Sequence, residues 1–230
     1  MAKDNYRKAG AVIVAAGASK RMGGIDKMFA PLGGKPILAQ VIDAFQKCKA
    51  IDQIVVVVSK ENLKRCQQLV AEQGWSKVIE VCVGGERRQD SVAAGLGRLK
   101  QCEWAVIHDG ARPLVTTDLI ERGLEAARET GAAIAAVPVT DTIKIAGDDK
   151  IILETPPRRT LWAAQTPQIF RFGIIEEAYR KANNDVTDDA SVVEQLGYKV
   201  KLYMGSYDNI KVTTPDDLIL AEALWKKHGK

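Results

Sequence analysis

Short apolar runs alternate with helix-like stretches along most of this chain, and this alternation is its strongest constraint on fold. Strands buried on both faces are predicted by four densely apolar runs, at residues 54–58, 78–83, 104–108 and 132–137. Amphipathic helices are predicted around them, at residues 36–47, 62–73, 89–99 and 118–129. This β-α-β order predicts an α/β fold with a mainly parallel, doubly wound sheet. Ligands bind such a sheet beyond the carboxyl ends of its strands.

The first apolar run, residues 11–15, is followed by a loop of small residues, 16–19, and then by two cations. Small residues let backbone N–H groups approach phosphate oxygens closely, and Arg21 and Lys27 would add positive charge. The loop contains neither G-x-G-x-x-G nor G-x-x-x-x-G-K-[ST], which argues against a dinucleotide oxidoreductase and a P-loop NTPase. The alternative is an ordinary strand-to-helix turn with two solvated cations.

The composition is that of an ordinary globular protein of 230 residues, 46% hydrophobic and 27% charged. Its length predicts one α/β domain over residues 1–230. A net charge of +4 is too small to indicate nucleic-acid binding, whereas the pI of about 8.8 suits small anionic substrates. We expect a cytoplasmic protein without a membrane partner, because there is no ~20-residue apolar run and no secretion signal. Four cysteines and two histidines without ligand spacing argue against zinc.

The alternation breaks at residues 140–159, where the apolar segments 142–146 and 150–154 flank Gly147-Asp148-Asp149. This pattern predicts a β-hairpin inserted into the domain. An isolated two-stranded hairpin is only marginally stable in water, so its Ile and Leu side chains need a cover. Either the hairpin projects as an arm and packs on a second subunit, or it lies flat on its own domain.

Two motifs follow predicted strands and place polar groups at the expected ligand edge. Gly84 and Gly85 precede a cation-rich turn into a helix that carries Ser91, which suits nucleotide binding through backbone atoms. A plain glycine turn with a polar helix start is the alternative. Asp109 leaves the next strand and is followed by Gly110, a position suited to hold a divalent cation or a ribose hydroxyl. A simple turn residue is the alternative there.

The last third of the chain combines apolar anchors with cations and hydroxyls, in residues 158–168, 187–191 and 208–213. These groups could bind a phosphorylated polyol. Arg158 or its neighbour could bind a phosphate monoester together with Lys211, through charge-assisted hydrogen bonds worth about 1.5–3 kcal/mol each. The alternative is that each is a solvated charge. A capping box that joins Thr214 and Asp217 predicts a final helix after these segments.

In their order along the chain, these motifs resemble the 2-C-methyl-D-erythritol 4-phosphate cytidylyltransferase family of the non-mevalonate isoprenoid pathway. The resemblance extends from about Gly10 to Trp225. It rests on Ala-Ala-Gly-x-x-x-Arg-Met with Lys27, Gly-Gly-Glu-Arg-Arg-Gln-Asp-Ser-Val, His-Asp-Gly-Ala-Arg-Pro, Pro-Val-Thr-Asp-Thr, Leu-Trp with Thr-Pro-Gln, Thr-Asp-Asp-Ala-Ser and Asn-Ile-Lys-Val-Thr. It implies a Rossmann-like fold of the nucleotide-diphospho-sugar transferase type with a projecting β-hairpin arm.

The resemblance implies an enzyme that transfers CMP from CTP to 2-C-methyl-D-erythritol 4-phosphate and releases pyrophosphate. It implies nucleotide binding by Ala15, Ala16, Gly17, Ala18, Ser19, Gly85, Arg88, Ser91, Asp109 and Gly110. It also implies acceptor binding by Thr142, Arg158, Thr187 and Lys211, and catalytic roles for Arg21, Lys27, Arg158 and Lys211. Asp109 would meet Mg²⁺ near the nucleotide, and the arm would be exchanged in a homodimer. One departure is Asp26, because this family commonly has Pro or Asn before the lysine.

Such a transfer needs no covalent enzyme intermediate, because the acceptor phosphate oxygen is already a nucleophile at neutral pH. The site has to align this oxygen with the leaving pyrophosphate and neutralise charge on the α-phosphate, so His108 is expected to be structural. Three alternatives stay open at this point: a ribitol 5-phosphate cytidylyltransferase, a pyrophosphorylase that uses UTP or GTP, and a catalytically silent nucleotide-binding protein of the same fold. Two cations at the α-phosphate, Arg21 and Lys27, argue against the silent protein.

Overall fold

A computed structural model of the protein describes residues 8–17, 26–181 and 185–229. The strands are β1 (Ala9–Ala15), β2 (Pro31–Leu32), β3 (Lys35–Pro36), β4 (Gln53–Val58), β5 (Val78–Val83), β6 (Trp104–Asp109), β7 (Ala132–Pro138), β8 (Ile145–Ala146), β9 (Ile152–Glu154), β10 (Trp162–Arg171) and β11 (Lys201–Met204). The helices are α1 (Ile37–Lys47), α2 (Leu63–Gln73), α3 (Arg88–Leu96), α4 (Thr117–Thr130), α5 (Phe172–Lys181), α6 (Asp189–Glu194) and α7 (Pro215–Lys227). Short 3-10 helices span Lys27–Phe29 and Arg158–Thr160.

Seven strands form one sheet in the order β11-β7-β10-β6-β1-β4-β5. Strand β1 runs parallel to β4 and β6, β4 is parallel to β5, and β7 is parallel to β11. Only β10 departs, since it is antiparallel to both β6 and β7. The predicted mainly parallel sheet is confirmed, and each predicted strand is present. The sequence pattern does not predict β10, because the polar stretch Gln165-Thr166-Pro167-Gln168 interrupts it.

Apolar helix faces cover both sides of the sheet, which confirms the doubly wound arrangement. Neighbouring residues of a strand point to opposite faces, so Val12 and Ile13 belong to different core clusters. Helices α1 and α4 pack on the Ile13 face, through side chains that include Phe45 and Ile120. Helix α3 packs on the Val12 face through Val92. Burial on both faces explains why the central strands are continuous apolar runs.

The helices predicted from periodicity are confirmed as α1 to α4, and every bound lies within one residue of its prediction except the end of α3. Helix α3 ends at Leu96, with Gly97 as its C-terminal cap, whereas the prediction extended it to residue 99. The predicted capping box of α7 is also confirmed, because the Thr214 side chain accepts from the Asp217 N–H while the Asp217 side chain accepts from the Thr214 N–H. Helices α5 and α6 are additional. Within the described ranges, no helix is both long and apolar enough to cross a membrane.

The cysteines are free thiols, as expected for a reduced protein. Cys48, Cys66 and Cys82 are buried, and Cys102 is half-buried. Burial raises the pKa of the Cys66 thiol to about 12, so this side chain behaves as a small apolar core residue.

The predicted hairpin is present as an arm between β7 and β10. Strands β8 and β9 pair antiparallel, and the Gly147 N–H donates to the Ile151 carbonyl at 3.0 Å to close the turn. Ile151, Ile152 and Leu153 are 63%, 58% and 70% exposed. A hairpin lying flat on its own domain would cover these side chains, so that alternative is wrong. The arm projects and leaves its apolar residues without a cover from its own chain.

Candidate active site

A cavity of about 270 Å³ opens at the carboxyl ends of β1 and β6, beside the start of α3. Its walls come from four parts of the chain: the loop after β1, the 3-10 turn at Lys27, the turn into α3, and the segment around Lys211. This is the sheet edge at which the β-α-β pattern predicts ligand binding. The predicted residues that line this cavity are Ala16, Gly17, Lys27, Gly85, Arg88, Ser91, Asp109 and Lys211.

A second cavity, of about 260 Å³, adjoins the first and is lined mainly by the late motifs. Three residues, Arg88, Asp109 and Lys211, line both cavities. Strand β10 makes this arrangement possible, because its insertion between β6 and β7 brings the late motifs beside the end of β6. The other lining residues of the second cavity are Arg112, Ala164, Gln165, Thr166, Gln168, Thr187 and Asp188.

Asp109 lies at the junction of the two cavities, and its carboxylate faces three cations. Its Oδ1 lies 3.1 Å from Arg88 Nε, and its Oδ2 lies 2.9 Å from Lys211 Nζ and 3.6 Å from Arg112 Nε. Burial alone raises the pKa of Asp109, but the charges of Arg88 and Lys211 outweigh it and hold that pKa well below the usual range. Asp109 is therefore an ionised carboxylate surrounded by three cationic side chains.

Lys211 reaches this junction because the loop that carries it is tied to β6 and β10. Asn209 is 1% exposed, and its Nδ2 donates to the Thr166 carbonyl at 2.9 Å. Arg112 Nη1 donates to the Asn209 carbonyl at 2.8 Å, which joins this loop to the segment after Asp109. With its backbone held in this way, Lys211 directs a partly exposed ammonium group at Asp109.

His108 is fully buried next to Asp109, and both of its ring nitrogens form hydrogen bonds inside the protein. Its Nδ1 lies 3.0 Å from Thr166 Oγ1, and its Nε2 lies 3.2 Å from the Arg112 carbonyl. A carbonyl only accepts, so Nε2 carries the proton and Nδ1 accepts from the Thr166 hydroxyl. That hydroxyl in turn accepts from the Asp109 N–H at 3.0 Å. Burial lowers the pKa of His108 to about 4, and the residue is neutral and structural.

Lys27 begins a 3-10 turn that is capped by the residue in which this chain departs from the family pattern. Asp26 Oδ1 accepts from the Met28 N–H at 3.1 Å, and Asp26 Oδ2 accepts from Asn62 Nδ2 at 2.8 Å. The carboxylate thus caps the turn and ties it to the start of α2. The departure at Asp26 leaves Lys27 in the lining of the first cavity.

The two glycines before α3 allow close packing rather than an unusual backbone twist. A Cβ on Gly84 would come within 2.4 Å of Ser91 Oγ and 2.6 Å of Ala16 Cβ, so the turn and the loop after β1 pack directly together only if residue 84 is glycine. The Ser91 hydroxyl lies 3.3 Å from the Arg87 carbonyl, which holds it at the cavity wall.

Five of the other predicted site residues lie elsewhere in the described structure. Thr187 lines the second cavity. Ala15 and Gly110 stand behind the wall of the first, since Ala15 is 2% exposed and a Cβ on Gly110 would lie 3.0 Å from Ala15 Cβ. Thr142 and Arg158 lie at the two ends of the arm and line neither cavity, and Arg158 Nη1 donates to the Thr140 carbonyl at 2.7 Å. Their assigned contacts stay predictions.

Three predicted residues, Ala18, Ser19 and Arg21, lie outside the described residues. Asp208 is the other charged residue of the late segment 208–213, besides Lys211. Its carboxylate accepts from Lys227 Nζ at 3.1 Å and lies 2.9 Å from His228 Nε2, and it lines neither cavity.

The structure adds residues to the site that sequence reasoning did not select. Gln168 accepts from N–H groups at the start of α6, and Asp189 pairs with Arg88. Gln168 and Asp189 belong to motifs that carry the family resemblance. Nothing in the local sequence, however, indicates that Asp189 would pair with a residue 101 positions earlier.

The described residues could bind a magnesium ion if most of its ligands came from the substrate. Within the described ranges, no group of three or more His, Cys, Asp or Glu side chains could hold a metal. Among the described residues that line both cavities, Asp109 is the one carboxylate, and its lowered pKa keeps it ionised. Mg²⁺ bound to a triphosphate commonly uses one or two carboxylates plus phosphate oxygens and waters, and a single aspartate meets that need.

A cavity at the carboxyl ends of parallel strands, joined to a second cavity through shared cations and a carboxylate, suits a nucleotidyltransferase, and the comparisons assign the chain to that class. The family model described as IspD, 2-C-methyl-D-erythritol 4-phosphate cytidylyltransferase, matches residues 9–227. The chain belongs to this family. It is an enzyme of isoprenoid biosynthesis that transfers CMP from CTP to 2-C-methyl-D-erythritol 4-phosphate.

Individual relatives agree with the family match over nearly the whole chain. A protein of Dehalococcoides mccartyi (strain 195) with the same name is 54% identical over 96% of this chain and 97% of its own length. One of Geobacter metallireducens is 45% identical, over 94% and 97%. The crystal structure of 4-diphosphocytidyl-2C-methyl-D-erythritol synthase from Anaerococcus prevotii is 32% identical, with a TM-score of 0.85 over 96% and 97%. These matches set aside the three alternatives left open by the sequence.

Proposed function

We propose that the transfer takes place at the shared wall of the two cavities, with CTP in the first and the acceptor phosphate in the second. The observation that carries this proposal is that Arg88, Asp109 and Lys211 line both cavities. Two substrates that fill neighbouring spaces would meet at these three side chains. An arrangement of this kind holds the attacking oxygen close to the α-phosphorus, which is the main requirement of phosphoryl and nucleotidyl transfer.

The chemistry requires positioning and charge neutralisation rather than proton transfer. A phosphate monoester carries a charge of about −1.5 to −2 at neutral pH, so an acceptor oxygen can attack directly. The new P–O bond forms as the bond to pyrophosphate breaks, and pyrophosphate leaves with the electron pair. Lys27 in the first cavity and Lys211 at the junction lie where they can neutralise the charge on the α-phosphate and the incoming monoester.

Magnesium binding is part of this proposal. Asp109 would hold the ion together with triphosphate oxygens, and the ion would supply additional positive charge around the phosphates. The carboxylate already accepts from Lys211, whose side chain is 39% exposed. We infer that Lys211 can turn from Asp109 towards the substrate phosphate when the site is loaded, because an exposed ammonium group reorients at little cost.

The homodimer and the cytoplasmic location stay predictions. The exposed arm gives a physical reason to expect the homodimer. Thr142 and Arg158 line neither cavity of their own chain, yet both belong to the acceptor set implied by the resemblance. If the arm packs on a second copy of this chain, its exposed Ile and Leu residues gain a cover. Thr142 and Arg158 would then be available to the second copy's acceptor cavity.

The assay that tests the reaction uses the purified chain with a panel of nucleotides and polyol phosphates, and mass spectrometry of the product. We expect CTP to be strongly preferred over ATP and GTP and measurably preferred over UTP. 2-C-methyl-D-erythritol 4-phosphate should be the best acceptor and ribitol 5-phosphate a poor one. Chelation of divalent cations should stop turnover, and added Mg²⁺ should restore it. Equal use of a purine nucleotide would contradict the proposed cytidine site.

The division into two cavities is tested with Lys211→Ala. Loss of this cation should raise KM for the acceptor or lower kcat by roughly 10–100-fold, since misplacing the nucleophile is costly. CTP affinity should change much less. Lys181→Ala is the control, because Lys181 is an exposed cation paired with Glu177 on α5, away from both cavities. A Lys211→Ala enzyme that loses CTP affinity but keeps its acceptor KM would reverse the assignment of the cavities.

A further inference from the structure

Asp189, the first residue of α6, is a fully buried carboxylate that binds Arg88. Arg88 Nη1 donates to Asp189 Oδ1 at 3.0 Å, and Arg88 Nη2 donates to Asp189 Oδ2 at 2.8 Å. This is the two-pronged contact that makes arginine–carboxylate pairs both strong and directional. Asp189 is neither among the site residues that the family resemblance implies nor among the residues that line the two cavities.

Neighbours on two other elements hold Asp189, one through its carboxylate and the other through its backbone N–H. Tyr179 on α5 donates its hydroxyl to Asp189 Oδ1 at 2.6 Å, and burial raises the pKa of Tyr179, so it stays a donor. Gln168 on β10 accepts from the Asp189 and Ala190 N–H groups, each at 3.1 Å, and fixes the start of α6. The position of Asp189 is therefore set before any substrate binds.

The third contact of Arg88 connects this buried pair to the reacting region. Arg88 Nε donates to Asp109 Oδ1 at 3.1 Å, while Asp109 Oδ2 remains available to Lys211. The guanidinium thus spans from α6, next to Thr187 of the second cavity, to the end of β6. With two of its nitrogens bound to Asp189, Arg88 cannot rotate without breaking a buried ion pair.

We propose that Asp189 is a positioning residue for the transfer reaction: it fixes the Arg88 guanidinium between the two cavities and thereby fixes the Asp109 carboxylate. This inference rests on the proposed division of the site into a nucleotide cavity and an acceptor cavity. Asp189 touches no substrate in this scheme. It acts through Arg88, because it holds Nη1 and Nη2 in the orientation that places Nε against Asp109 Oδ1.

A structural role alone would predict a different outcome from a positioning role, and two single-atom changes separate them. Asp189→Asn keeps the size of the side chain but removes the charge that holds Arg88. Tyr179→Phe removes one hydrogen bond from the same buried carboxylate but leaves its two contacts with Arg88 in place. Both variants lose a buried polar contact, so both are expected to lower Tm. Kinetics are measured at a temperature well below both values of Tm.

We expect Asp189→Asn to reduce kcat/KM for the acceptor by about 100-fold, with a part in KM and a part in kcat, because a displaced cation misaligns the attacking oxygen. Tyr179→Phe should keep kcat and both KM values within about twofold, since Arg88 stays bound. If both variants retain wild-type kinetic constants below Tm, Asp189 is a stability residue only and the proposal is overturned. Equal kinetic losses in both variants would also overturn it.

A second variant covers the case in which Asp189→Asn does not fold. Arg88→Lys keeps one positive charge but cannot bond two carboxylates in a planar fork, so it should show the same loss in acceptor kcat/KM. A lysine variant with wild-type kinetics would contradict the proposal.

Failure of this inference is distinguishable from failure of the proposed cavities. If Lys211→Ala leaves the acceptor KM unchanged, the division into cavities fails. If Lys211→Ala raises it while Asp189→Asn and Arg88→Lys have no kinetic effect, only the role of Asp189 fails.

Discussion

The imidazole of His108 illustrates how a titratable group beside an active site can be purely structural. It is the only histidine next to Asp109 in the described residues, yet both its nitrogens are bonded inside the protein, to Thr166 and to the Arg112 carbonyl. No nitrogen is left to exchange a proton with a substrate. Its value to the enzyme is that it fixes the Thr166 hydroxyl, which receives the Asp109 N–H.

A stability prediction follows from this burial. The pKa of His108 is about 4 in the folded protein against 6.5 for an ordinary histidine. Between these values the unfolded chain binds a proton that the folded protein does not, so stability falls as pH decreases. We expect the free energy of unfolding, measured with urea, to decrease by about 2 kcal/mol between pH 7 and pH 5. His108→Gln should lose most of this pH dependence, while His228→Gln, an exposed control, should retain it.

The position of Lys27 in the first cavity leads to a prediction about catalysis. If its ammonium contacts the α-phosphate mainly in the transition state, Lys27→Ala should lower kcat by roughly 10²–10³, as loss of an oxyanion-hole donor does. CTP affinity, measured by calorimetry, should change much less. Lys60→Ala, on the exposed turn before α2, is the control. A variant with near-normal kcat and weak CTP binding would make Lys27 a ground-state anchor instead.

Among the elements, α7 shows most directly how a local signal is used in the folded protein. The Thr213 hydroxyl donates to Asp217 at 2.6 Å, and the Thr213 and Thr214 N–H groups donate to it at 2.8 and 2.9 Å; these bonds lower the pKa of Asp217 to about 2. The helix then packs Ala221 and Trp225 against β2, near the start of α1. The cap therefore anchors the segment that directly follows Lys211.

The cap is tested by Asp217→Asn. Losing the charged acceptor should lower the free energy of unfolding by about 1 kcal/mol at pH 7, the usual size of an N-terminal cap. Asp216→Asn, one residue earlier in the same turn, is the matched control and should change stability by less than about 0.5 kcal/mol. Because the carboxylate contributes when ionised, the difference should shrink as pH falls towards 2. Equal stabilities of the two variants at pH 7 would contradict the role of the cap.

For the whole molecule, the arm is the feature that a single chain leaves incomplete. Its three most exposed apolar residues, Ile151, Ile152 and Leu153, lie at 58–70% exposure on a hairpin with little support of its own. Exposed apolar groups of this kind commonly mark a contact with another protein. We propose a second copy of this chain as the occupant, which would also explain why Thr142 and Arg158 line neither cavity of their own chain.

We expect sedimentation to show a homodimer for the wild type. The double variant Ile152→Ser, Leu153→Ser should be mainly monomeric, with a raised acceptor KM and an unchanged fold by circular dichroism. Asp148→Ser, in the turn of the same arm, should remain dimeric. A double variant that sediments as the wild type would show that the arm is not the dimer contact, and a monomeric wild type would remove the homodimer altogether.

Much of the fold follows from the sequence because each element is encoded by neighbours a few residues apart. Buried parallel strands such as β4 have to be apolar at every position, and α1 has to keep one apolar face, so both are predicted. Strand β10 is missed because its middle is polar. That stretch becomes buried through hydrogen bonds, such as Gln165 with the Ser206 carbonyl, that no local pattern announces.

The sequence by itself determined the class of fold, the family and most of the lining of the first cavity, because ordered motifs at strand ends carry that information locally. Only the tertiary structure decided how the early and late motifs meet. The antiparallel insertion of β10 brings Lys211 to Asp109 and Asp189 to Arg88, pairs separated by about a hundred residues. Such contacts depend on the order of strands in the sheet and on the burial of charges. Those are properties of the packed molecule, and no short window of sequence contains them.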